Sequence, residues 1–294
     1  MSKLKAALSY CFTLNTSATS SWFPFMRIGT ALCLIVKTCY DWAGLDFFYG
    51  TTALVPASIT DTYIHHFVPS FHWLLRFTMG HVADSTIIHA FFFIHLVLGL
   101  LLLLGYRLWL TAGLCWLMQT MILNSSPLII YGFDGIILSL LFYIFIFELG
   151  YVWLGKGDDA NSLALSHLFQ KTLQLHLCII YFISGIFKAR SWVWTEGDLL
   201  FNILQHPQFT HFFSPVALKL FAFPYVSLFA CWFTIIIETF YPIAIWVKGL
   251  NKIYLLGILF LHFLIGLFMG IWLFAVIMLV FNLAAFGHIL LEEK

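Results

Sequence analysis

Uncharged apolar runs of about 20 residues, recurring along most of the chain, dictate what this sequence can fold into. A helix of that length matches the hydrocarbon thickness of a bilayer, and no water-soluble domain has an interior for so many of them. Composition agrees. Of the 294 residues 62% are hydrophobic and only 9% charged, against roughly 25% charged in an ordinary soluble domain. Lipid is the expected solvent, and the expected fold is all-α, a polytopic transmembrane helical bundle in which every backbone group is answered within its own helix. The runs place spans at 22–40, 87–104, 108–123, 135–154, 172–187, 218–247, 253–267 and 271–285, about eight in all. The sixth run is too long for one perpendicular crossing and contains Pro224, so it should begin as a kinked or interfacial segment.

A net charge of +1 carries no nucleic-acid footprint and no polybasic surface tail. The cysteines, Cys11, Cys33, Cys39, Cys115, Cys178 and Cys231, lie in or beside apolar runs without metal-ligand spacing and read as small buried residues. With the N-terminus inside, cytoplasmic segments hold Lys3, Lys5, Arg107, Lys156, Lys171, Lys248, Lys252 and Lys294, while the other side holds Lys37, Arg76, Lys188 and Arg190. That asymmetry favours both termini in the cytoplasm. The expected organisation is a cytoplasmic lead-in over 1–21, one transmembrane domain over 22–288 and a short tail over 289–294. Two long outer segments, 41–85 and 189–216, are rich in histidine and aromatic residues and read as an outer-face cap.

Ionisable side chains at membrane depth cost several kcal/mol unless they find partners or water, so each is informative. Arg27, in FPFMRIGTAL, fits a structural or snorkelling role as well as a functional one. Lys37 and Asp41 have the four-residue spacing of a surface ion pair. In NSSPLIIYGFDG, Asn124, Ser125, Tyr131 and Asp134 cluster at the outer boundary of the fourth span, where an acidic residue is also a simple helix cap. Tyr181, Ser184 and Lys188 fall at i, i+3 and i+7, on one helix face. A desolvated lysine loses its proton readily and can act as base or nucleophile; an interfacial lysine can also simply snorkel. The segment 192–209 that follows is amphipathic and is expected in the outer interface near Lys188. Glu238 must be neutral, paired with a cation such as Arg27, or facing water. His262, His89, His95 and His176 also lie within spans, without a spacing that indicates a metal.

Four blocks carry a resemblance: the first span around MRIGTAL, the turn NSSPLIIYGFDG, the segment YFISGIFKARSWVWTEGDLL, and ETFYPIAIW followed by LHFLIGLFMGIWLFAVIML. Together, over 23–288, they resemble the horizontally transferred transmembrane domain family. That family includes the membrane part of vitamin K-dependent γ-glutamyl carboxylase and stand-alone bacterial proteins that mature peptide toxins of the sporulation-delaying type. The resemblance implies that Lys188 falls on the family's catalytic lysine. It also implies a reduced, vitamin K-like quinone as cofactor, an exported peptide or protein as substrate, and a partner encoded nearby. On this expectation the chain is a bacterial cytoplasmic-membrane protein acting at the outer face. Lys188 is the base, Tyr181 and Ser184 assist it, and Asn124, Asp134, Glu238 and His262 shape or line the cofactor site. Two alternatives stay open: a non-catalytic immunity or chaperone protein that binds a peptide among its helices, and a small transporter using Arg27, Glu238 and His262 as a relay.

Overall fold

The computed structural model describes residues 22–50, 53–55, 59–60, 62, 69–77, 83–126, 130–155, 159–209 and 211–291. The lead-in over 1–21, Pro127 and the last three residues of the tail lie outside the described residues. Every described regular element is helical. In chain order the helices are α1 (Trp22–Asp41), α2 (Leu45–Tyr49), α3 (Phe71–Phe77), α4 (Asp84–Leu104), α5 (Leu108–Ser125), α6 (Gly132–Gly150), α7 (Asp159–Ala189), α8 (Trp192–Thr195), α9 (Leu199–Leu204), α10 (Ser214–Phe221), α11 (Pro224–Ala244), α12 (Asn251–Met269), α13 (Trp272–Phe286) and α14 (His288–Leu291).

Each of the eight expected runs is a helix, but they are not equal. Six segments, over Trp22–Tyr49, Asp84–Leu104, Gly132–Leu154, Asn161–Ala189, Pro224–Ala244 and Asn251–Met269, are long and apolar enough to cross a membrane. The third run, α5, is 18 residues long and carries Gln119 and Asn124; the last, α13, has 15 residues. At 1.5 Å per residue α13 spans about 22 Å, short of a bilayer core of about 30 Å. The crossing helices bury only 28–50% of their most apolar windows inside the protein. Phe187, Phe229 and Ile243 are among the large apolar side chains left exposed on them. That inversion of the soluble pattern makes the chain a multi-pass membrane protein. The sixth run breaks as its proline requires: α10 ends at Phe221, and Pro224 opens α11 at a position where its missing N–H costs nothing.

The chain forms two compact units, residues 1–166 and 167–294. In the first, α1 packs on α4 and α6, and α5 runs against α6. Arg27 is buried in α1 and donates to the carbonyls of Leu102 (2.7 Å) and Leu103 (2.6 Å), closing the last turn of α4 just before Gly105 takes a positive φ of 78°. The Leu102 carbonyl also takes the Gly105 N–H at 3.2 Å, and the guanidinium completes this helix end without water. In the second unit, α11, α12 and α13 pack in sequence, and α8, α9 and α10 sit against α11.

Candidate functional site

The C-terminal end of α7 carries an ion pair of the second unit. Ser184 and Lys188 are one helical turn apart, and Lys188 Nζ donates to Ser184 Oγ at 2.6 Å and to Glu238 Oε2 of α11. The ammonium also lies 5.2 Å from the centroid of the Trp194 ring, so α8 covers it with an aromatic face. Lys188 therefore does more than snorkel: its charge is held inside the protein against a carboxylate that is itself buried. The partner of Glu238 is thus Lys188, and Arg27 is committed to the end of α4.

Gly185 makes the pairing possible. A Cβ there would stand 2.6 Å from the Thr239 backbone nitrogen, well inside contact distance. Only glycine allows α7 and α11 to approach closely enough at this level for Lys188 to reach Glu238. The cap is tied down by the same helix. Ser227 Oγ donates to the Gly197 carbonyl, Trp232 Nε1 donates to the Thr195 carbonyl at 3.2 Å, and Gly197, at φ 84°, rests on Leu228. A side chain at 197 would meet both strain and backbone.

One turn deeper on α7, Tyr181 joins a second buried group. Its hydroxyl lies 2.8 Å from His262 Nε2 and accepts a hydrogen from Asn282 Nδ2 at 2.6 Å. Tyr241 donates to Asn282 Oδ1 at 2.9 Å, and Asn282 Nδ2 also donates to the Met278 carbonyl at 2.8 Å. All four side chains are buried, Asn282 and Tyr241 completely, and the Tyr181 and Tyr241 rings are 4.6 Å apart. The group links α7, α11, α12 and α13. Glu238 and Tyr241 are three apart on α11, and Tyr181 and Ser184 three apart on α7, so the ion pair and the tyrosine group occupy successive turns of the same two helices.

Of the residues expected from sequence, Lys188, Ser184, Glu238, Tyr181 and His262 all lie in the second unit and engage as described. Asn124 and Asp134 lie in the first unit and perform local tasks there. Asn124 donates to the Pro69 carbonyl at 3.1 Å, and Asp134 accepts the Tyr131 N–H at 3.1 Å at the start of α6. Lys37 and Asp41 form the ion pair their spacing implies. Sequence reasoning placed the segment of Trp194 near Lys188 but missed Asn282, Tyr241 and Gly185. Asn282 left a readable sign, since a lone amide inside an apolar helix needs a partner. Gly185 left none, because its role depends on which helix lies opposite.

No family model, no curated protein and no solved structure matches this chain.

Proposed function

We propose that this protein is a multi-pass enzyme of a bacterial cytoplasmic membrane that matures an exported peptide or protein at the outer face, with Lys188 as its base. The single observation that supports this reading is the ion pair of the partly buried Lys188 with the buried Glu238, flanked by Ser184 and roofed by Trp194. Ionisable pairs inside a membrane protein are expensive and mark chemistry or transport far more often than scaffold. The pair has a built-in way to make a base. Transfer of one proton from Lys188 Nζ to Glu238 Oε2 leaves an amine and a carboxylic acid, and both charges vanish together. Ser184 remains within reach to orient the amine.

The family resemblance adds a reduced, vitamin K-like quinone, which when bound supplies reducing equivalents. The donor set fits such a molecule, since an ammonium and a hydroxyl beside an aromatic wall suit its ring oxygens. With the N-terminus in the cytoplasm and all eight apolar runs crossing, Lys188 ends the fifth crossing and faces the outer side; this reading therefore takes α5 as a crossing helix.

Lys188→Arg tests the proposal. Arginine keeps the charge and the partner carboxylate but does not give up its proton. Intact-mass spectrometry of exported peptides should show a mass or cleavage change in wild-type cells that is lost in both the deletion and Lys188→Arg, while the variant still inserts and folds. Retention of that change in Lys188→Arg refutes the base. If it is lost only in the deletion, the non-catalytic peptide-binding reading takes its place.

A further inference from the structure

The buried tyrosine group around Asn282 ends on a hydrogen that has nowhere to go. Its hydrogens can be placed by counting. The two N–H bonds of the Asn282 amide are used on Tyr181 Oη and the Met278 carbonyl, and its oxygen receives the Tyr241 hydroxyl hydrogen. Tyr181 then accepts from Asn282 and has one hydrogen of its own, for which His262 Nε2, 2.8 Å away, is the acceptor at hand. A nitrogen that accepts is bare, so the imidazole proton is on Nδ1. The result is a one-way chain, Tyr241 to Asn282 to Tyr181 to His262, in which each bond polarises the next. His262 Nδ1 is buried and has no hydrogen-bond partner among the described residues. Four helices converge to fix a tautomer, and what the tautomer presents is one polarised donor.

We infer that His262 Nδ1–H is the recognition point for an uncharged, lipid-soluble carbonyl compound. The ligand class follows from the surroundings. A charged acceptor would add a net charge beside a core of tyrosine and phenylalanine, whereas a neutral carbonyl oxygen answers the N–H without one. Phe274 of α13 packs edge-to-face on the imidazole, with ring centroids 5.6 Å apart, and is only partly buried, so a ring beside the imidazole is itself at the margin of the bundle. The inference rests on the tyrosine group alone and holds whether or not Lys188 is a base.

The test uses the full-length protein in lipid nanodiscs and a 4-alkylbenzophenone, whose ketone is both the acceptor and the photoreactive group. Illumination followed by peptide mapping should place the label on α12 or α13 around His262 and Phe274. Asparagine carries its amide N–H near the position of Nδ1, and glutamine carries its own near Nε2. Labelling should therefore survive in His262→Asn and fall about ten-fold in His262→Gln, the loss of one hydrogen bond. Equal labelling of the two variants, high or low, overturns the inference. So does a free-protein imidazole ¹⁵N spectrum with the proton on Nε2. Competition by a quinone or by a fatty-acid methyl ester distinguishes a ring carbonyl from an ester carbonyl as the natural acceptor.

Discussion

The two units treat buried polarity differently. In the first, the charged and amide side chains Arg27, Asn124 and Asp134 are answered by backbone, and buried side-chain bonds are single pairs, Thr38 with His95 and Trp22 with Ser166. In the second, polar side chains join into connected groups across helices: Lys188 with Glu238, and Tyr241, Asn282, Tyr181 and His262 in one run. Backbone-directed bonds finish helix ends and loops, and a helix needs them whatever the protein does. Bonds between side chains are the minority class in folded proteins. Burying several of them leaves each partner costly to lose, a burden that packing alone does not require. The second unit is therefore where chemistry is to be sought.

The largest effect should come from breaking the ion pair on one side. Glu238→Ala leaves the partly buried Lys188 ammonium without its carboxylate and should destabilise the protein by about 3 kcal/mol, the low end for a broken ion pair, read as a lower unfolding midpoint in detergent. Replacing both partners, Lys188→Met with Glu238→Met, should recover most of that loss, because an apolar pair of similar volume needs no compensation. If the double variant is stable but inactive, the pair serves chemistry; if it stays as unstable as the single variant, the contrast between the units collapses.

Arg27→Met should come next. It removes two short charge-assisted bonds from the end of α4 and should cost about 2–3 kcal/mol in the same assay. Maturation per folded molecule should be unchanged. A loss of activity beyond the loss of folded protein would put Arg27 in the functional machinery and favour the transporter reading. Asp134→Asn should have the smallest effect, about 1 kcal/mol, the worth of a cap, with activity intact. An inactive yet stable Asp134→Asn would show that the first unit also carries a functional side chain.

Helical class, membrane location and the places where the chain must break could all be read from the sequence, for local reasons. Apolar runs of bilayer length leave the backbone one way to satisfy itself, and Pro224 suits the first turn of a helix, although Pro242 stays within that same helix near its end. The face shared by Tyr181, Ser184 and Lys188 was equally legible, since i, i+3 and i+7 are fixed by helix geometry. Which helix lies against that face was not. Glu238 was visible as a group that needed a cation, but its sequence position does not distinguish Arg27 from Lys188. That choice belongs to the packing of α7 on α11, which a glycine at 185 permits by letting the backbone of Thr239 come close. The protonation pattern of His262 is more remote still, for it depends on four side chains drawn from four helices. Periodicity and burial are properties of a segment and are written in it; the pairing of charges and the placing of a proton are properties of neighbours, and only the tertiary structure assigns those.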